Sequence, residues 1–146
     1  MTRPWMPLTG EAVSRLPGQL GVFELADADG RETFGAPLSS RQAIQWMVVD
    51  NEIDIRISRW VTLAAAHKAE RGEPFRTDAA MAKLVASEAA GRVVDRAIQI
   101  HGGYGVSKDL PLERWYRELR IRRIGEGPSE VQRHIMARDI FGSSLR

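Results

Sequence analysis

Three groups of residues in this sequence have the types and spacing for chemistry. Glu126 stands between Gly125 and Gly127, directly before Pro128 and Ser129. Flanking glycines let the backbone approach a ligand closely and leave a carboxylate uncrowded at the mouth of a helix. The plainer reading of Gly125-Glu126-Gly127-Pro128 is a polar turn ahead of a helix. The second group is Gln99 with Gly102 and Gly103. Paired glycines after a long periodic segment ordinarily terminate a helix. Their N–H groups also approach a nucleotide where a Cβ would intrude. The run Gly102-Gly103-Tyr104-Gly105 is not the dinucleotide fingerprint, because it follows a helical pattern rather than a strand. The third group is Arg31-Glu32-Thr33-Phe34-Gly35-Ala36-Pro37-Leu38 with Gln42 downstream. Taken alone it reads as a solvated arginine on a hairpin.

The elements that must position these residues follow from periodicity and punctuation. Residues 1–38 hold four prolines and five glycines, at Pro4, Pro7, Pro17, Pro37, Gly10, Gly18, Gly21, Gly30 and Gly35, a density that breaks any long helix. Within them Val22–Ala26, a turn at Asp27–Gly30, and Arg31–Phe34 read as a short hairpin. From residue 39 the pattern becomes helical. Ser39 or Ser40 is a candidate cap for a helix carrying Ile44, Met47, Val48, Ile55, Val61 and Leu63. Thr77 is the candidate cap of a second, carrying Met81, Leu84, Val85, Ala89, Val93, Ala97 and Ile100. Pro111 and Pro128 open a third and a fourth. The expected helices are 40–72, 77–101, 112–123 and 129–141. The fold class is all-α, an antiparallel up-and-down four-helix bundle over residues 39–146, preceded by an irregular or hairpin segment over 1–38. Trp5, Trp46, Trp60 and Trp115 are expected to be packing residues rather than stacking platforms.

Composition narrows the classes of function. A chain of 146 residues suits one domain. It has no cysteine, which excludes disulfides and thiolate chemistry. His67, His101 and His134 lack metal-ligand spacing, and no paired Glu-x-x-His motifs are present, so no metal site is expected. No apolar run is long enough for a membrane span, and a cytoplasmic protein without membrane partners is expected. Between Glu113 and Arg123 five arginines face only Glu113 and Glu118. That basic face suits phosphate, acidic protein or solvent. The two glutamates interrupt the stripe, so nucleic-acid binding is not expected.

The three groups together resemble the C-terminal domain of flavin-dependent acyl-CoA dehydrogenases. Glu126-Gly127-Pro128-Ser129-Glu130-Val131-Gln132-Arg133 is similar to that family's segment around its catalytic glutamate. Gln99 with Gly102-Gly103, and Arg31 with Phe34-Gly35 and Pro37-Leu38, match two further family motifs in order and spacing. The resemblance runs from about Arg31 to Arg138 and includes Ala80–Ala90; residues 1–30 do not match. It implies that Glu126 removes the α-proton of an acyl-CoA thioester. It also implies that Arg31, Phe34, Gln42, Gln99, Gly102, Gly103 and Glu130 contact FAD, Arg31 through the pyrophosphate, for which a guanidinium fork is suited. The family's flavin site is shared between subunits, which implies a homo-oligomer or a partner acyl-CoA dehydrogenase subunit. Two departures stand out: Gly125 replaces an aromatic residue, and Pro128 replaces a threonine or serine. The family also carries an N-terminal helical domain and a middle β-domain, so the expectation is a truncated or fused form that needs them. The alternative is a non-catalytic helical interaction or oligomerisation module.

Overall fold

A computed structural model describes residues 31–142. A two-residue strand, β1 (Glu32–Thr33), turns through Phe34-Gly35 and pairs antiparallel with β2 (Ala36–Pro37), Glu32 opposite Pro37 and Thr33 opposite Ala36. A 3₁₀ turn at Leu38–Ser40 leads into α1 (Gln42–Glu70), followed by α2 (Arg76–His101), a 3₁₀ turn at Gly102–Val106, α3 (Leu112–Arg122) and α4 (Ser129–Phe141). The strand read at Arg31–Phe34 is therefore present, but its partner among the described residues is Ala36–Pro37. The other expected arm, Val22–Ala26, lies outside them.

The four helices fall where the apolar period places them, with corrected caps. Arg41 occupies the position before α1, and the Ser40 hydroxyl donates backward to Pro37 O at 2.7 Å rather than to the helix. Phe75 precedes α2, so Thr77 is already inside the first turn. Pro111 and Pro128 do stand at the N-terminal boundaries of α3 and α4.

The bundle is organised around α2. Its residues Ala80, Ala82, Ala89, Val93, Val94, Ala97 and Ile100 are buried on several sides of the helix. A helix that buries small apolar side chains on several sides must be covered on each of them, and α1, α3 and α4 each pack on it. The small side chains let the neighbours approach closely. The tightest apolar cluster is Ile55 of α1, Val93 and Ala97 of α2 and Leu112 of α3, flanked by Ile98, Leu110 and Trp115.

The seam between α1 and α2 is also polar. Asp54, only 13 % exposed in its side chain, accepts from Arg92 at 2.6 and 3.1 Å and from Arg96 at 2.8 Å. Arg96 also donates to buried Asn51 at 2.9 Å. Burial pushes the Asp54 carboxyl up, but the hydrogen bonds and charges of Arg92 and Arg96 more than reverse this, leaving its pKa lowered. Trp115 packs as expected. Trp46 and Trp60, by contrast, are 61 % and 72 % exposed, and Leu63 is half exposed. They lie with Val49, Ile53 and Ile57 on the side of α1 that faces away from the core.

Candidate functional site

The expected site residues divide between two places on α2. The first is its C-terminal end. The helix stops at His101 because Gly102 takes a left-handed conformation, φ +61°, and its N–H turns back to Gln99 O. The Arg31 guanidinium donates to His101 O at 2.7 Å, capping the last turn with a cation where the helix dipole is negative. A Cβ built at Gly102 would sit 3.8 Å from that guanidinium, and one at Gly103 would meet nothing within 4 Å. Gly105, two residues on, is the sterically demanding glycine: a Cβ there would lie 2.7 Å from Ile98 O. It lets the 3₁₀ turn fold back against α2, a role the sequence pattern did not single out.

Arg31, Gln99, Gly102 and Gly103 thus form one cluster of a guanidinium, an exposed amide side chain and open backbone. Phe34 and Gln42 are brought to the same segment by the hairpin. Leu38 N–H closes it on Arg31 O at 2.8 Å, and Arg41 donates to Thr33 O at 2.8 Å. Phe34 is 96 % exposed at φ +56°. A cation beside glycine backbone with unfilled space in front fits a diphosphate, and an exposed aromatic ring fits the flat apolar part of a nucleotide.

The second place is the loop between α3 and α4. The end of α3 tightens, with Ile124 and Gly125 N–H both donating to Ile121 O, at 3.0 and 2.8 Å. Glu126 then adopts φ +54° and Gly127 φ +88°. Phe34 and Glu126 are the two non-glycine residues with positive φ among the described residues, and both had been singled out by sequence. A non-glycine residue held there is strained by about 1–3 kcal/mol, and such strain clusters at functional positions. The Glu126 side chain is 69 % exposed, its carboxylate 3.9 Å from Arg122. Glu130 lies exposed in the first turn of α4.

Several side chains missed by sequence reading hold this loop. Glu88 of α2 accepts from Ser129 Oγ at 2.7 Å with one carboxylate oxygen and from Arg123 Nη2 at 2.7 Å with the other. Burial pushes the Glu88 carboxyl up, but hydrogen bonds from Ser129 and Arg123 and the charges of Arg123 and Arg133 leave its pKa lowered. Ser129 N–H donates to Arg123 O at 3.2 Å, and Lys83 Nζ to Arg122 O at 2.7 Å. Gln132, nearly buried, donates to Gly127 O at 3.0 Å. A Cβ on Gly127 would collide with that amide. Gln132 also lines a groove of about 660 Å³ between α2 and α4, with Phe75, Ala79, Ala80 and Ile135. The signal that could have found Glu88 was its position in an otherwise small and apolar stretch, Val85–Ala90.

From Glu88 to His101 is thirteen residues of helix, about 20 Å at 1.5 Å per residue. The structure therefore brings Arg31, Gln99, Gly102 and Gly103 together, with Phe34 and Gln42 attached, and keeps Glu126 and Glu130 apart from them. Among the described residues there is no cluster of three metal-ligating side chains, and no helix long and apolar enough to cross a membrane.

The family model described as "Acyl-CoA dehydrogenase, C-terminal domain" matches residues 22–141, beginning upstream of Arg31. The mitochondrial short-chain specific acyl-CoA dehydrogenase of Bos taurus is 45 % identical over 116 residues, covering 80 % of this chain and 28 % of the bovine enzyme. Among solved structures, butyryl-CoA dehydrogenase from Megasphaera elsdenii superposes with a TM-score of 0.85 at 35 % identity, over 90 % of this chain and 34 % of that one. PigA, solved as an FAD complex, does so with a TM-score of 0.83 at 28 % identity, over 86 % and 33 %. The chain belongs to the acyl-CoA dehydrogenase family, a family of FAD-dependent oxidoreductases, and corresponds to its C-terminal domain. It spans about a third of the length of the relatives it matches.

Proposed function

We propose that this chain serves in α,β-dehydrogenation of an acyl-CoA thioester, with Glu126 as the base. The observation that carries this reading is the conformation of Glu126: a carboxylate in left-handed backbone, on a loop anchored at both ends, with its side chain turned outward. A strained and exposed carboxylate needs a reason, and abstraction of a proton from a ligand covering it is one. When bound, FAD would supply the acceptor for the hydride leaving the substrate's β-carbon. Glu126 takes the α-proton as that hydride leaves, so the two hydrogens depart as proton and hydride. Gly125 and Gly127 leave room for the substrate's α-carbon beside the carboxylate.

Arg31, Gln99, Gly102 and Gly103 would hold the diphosphate and adenosine side of the cofactor, with Phe34, Gln42 and Glu130 as further contacts. The separation of about 20 Å between this cluster and the anchor of Glu126 favours two different flavin sites. The cradle at the end of α2 would serve a cofactor whose reacting ring lies over a neighbouring subunit's glutamate. Flavin reduction by acyl-CoA, measured in an assembly that includes the family's N-terminal and middle domains, tests this. Glu126→Gln should bind acyl-CoA and fail to reduce flavin at the parent rate. Equal rates would assign the segment to a structural turn.

A second reading has its own support. The outer side of α1 exposes Trp46, Val49, Ile53, Ile57, Trp60 and Leu63, an apolar stripe of the kind that marks an interaction surface. It fits a helical association module, either within an acyl-CoA dehydrogenase oligomer or without the reaction. A visible absorbance spectrum after FAD is added to the purified chain and unbound cofactor removed discriminates the two: retained yellow favours the first reading, a colourless chain the second.

A further inference from the structure

We infer that Glu88 is a positioning residue for Glu126, setting the geometry in which that carboxylate is presented. The inference rests on reading Glu126 as the base. The two Glu88 carboxylate oxygens engage opposite ends of the loop: Arg123, just past α3, and Ser129, the first residue of α4, both at 2.7 Å. The five residues between those anchors contain the two consecutive left-handed positions. Two helices that end and begin on one carboxylate cannot slide or rotate independently, so the spacing of the loop's ends is fixed from α2. Ser129 is 4 % exposed, and Arg123 Nε is buried without a partner among the described residues. The Arg123 guanidinium thus keeps its Nη2 contact to Glu88 while a buried N–H goes unsatisfied. The neighbours that set the carboxylate's charge state are Arg92 on its own helix, Arg123 beyond α3, and Ser129 and Arg133 on α4.

Replacing Glu88 by alanine removes both anchors and leaves α2 otherwise intact. The test is residue-resolved amide exchange by NMR on the purified chain. The probes are the Gly125 N–H, bonded to Ile121 O, and the Ser129 N–H, bonded to Arg123 O; α2 amides from Val93 to Ala97 serve as the folding control. In Glu88→Ala the two loop probes should exchange about tenfold faster or more while the control stays within about twofold. If Glu88→Ala does not fold, Ser129→Ala removes one anchor and should show the same direction with a smaller change.

A second readout separates positioning from bulk stability. In a Glu126→Gln, Glu130→Gln background, which leaves Glu88 as the carboxylate bonded to the loop's two ends, the Gly125 and Gly127 amide shifts should still move with an acid midpoint. Adding Glu88→Gln should abolish it. Unchanged loop exchange in a folded Glu88→Ala chain, or a midpoint that survives Glu88→Gln, overturns the positioning role. Neither result touches proton abstraction, which the Glu126→Gln kinetics test separately.

Discussion

The two places where α2 carries candidate chemistry are built in opposite ways. At its C-terminal end the working surface is largely backbone: a left-handed glycine, open space above the next glycine, and one guanidinium bonded to a carbonyl. Around Glu88 it is side chain: a carboxylate shared by a hydroxyl and a guanidinium, with an amide holding the loop's far side. The backbone site has no carboxylate in its bonding. The side-chain site should be sensitive to charge.

The largest expected effect breaks the comparison by chemistry. In an assembly that includes the family's N-terminal and middle domains, Glu126→Gln should slow flavin reduction by about 10² to 10⁴ and leave FAD retention unaltered. Arg31→Ala should do the reverse, releasing FAD while the proton-transfer step in the loaded enzyme keeps its rate. Single-turnover absorbance at saturating acyl-CoA checks both, and an Arg31 variant that loses rate but keeps its flavin would merge the two sites.

A smaller effect sharpens the contrast in stability. Gly127→Ala forces a Cβ into left-handed backbone and against Gln132, whose bond to Gly127 O must break; about 1–3 kcal/mol should be lost. Denaturant unfolding of the 146-residue chain measures it. A loss below about 0.5 kcal/mol would mean that the loop is held more loosely than its bonds suggest.

Acid should weaken only one of the two regions. Glu88 and Asp54 have pKa values lowered in the folded chain, from ordinary values of 4.5 and 3.8. Each therefore contributes stability that is complete above those values and lost as pH falls through the lower, folded ones. Unfolding free energy should decline as pH drops below about 4.5, and Glu88→Gln should flatten part of that decline. Arg31 bonds to a backbone carbonyl rather than to a carboxylate. Denaturation midpoints collected across the acid range show whether the Glu88→Gln curve converges on the parent's at low pH.

The smallest expected change is at Gly103. A Cβ there meets nothing within 4 Å and the backbone is not left-handed, so Gly103→Ala should cost under about 0.5 kcal/mol. If it nevertheless weakens FAD retention, the open space in front of Gly103 is where the cofactor approaches.

Much of this arrangement was legible in the sequence, and for stated reasons. Helix ends at Gly102 and Gly142 and helix starts beside Pro111 and Pro128 follow from backbone chemistry that acts locally. Glu126 stood out because two glycines bracket it. What remained hidden depends on contacts distant in sequence. Glu88 is 35 residues before Arg123 and 41 before Ser129, so its charge in a small, apolar stretch marks it but not its partners. Thr77 was a reasonable cap, yet Phe75 took the position and Asp78 spends its carboxylate on Lys68, at 2.7 Å across the α1–α2 turn. Trp46 and Trp60 were read as packing residues because aromatic size usually decides the matter. α1 packs chiefly on α2, and one helix covers only one side of another.

If that uncovered side of α1 meets a second surface, the chain's stability follows its concentration. Any association that buries Trp46, Ile53 and Trp60 against a second surface favours the folded chain over the unfolded one by mass action. A folded monomer in equilibrium with its own dimer would then melt at a temperature that climbs with each dilution step reversed, whereas an isolated domain melts at one temperature throughout. The same helix that anchors α2 from within would make the protein's heat resistance depend on how much of it, or of a complementary surface, is present.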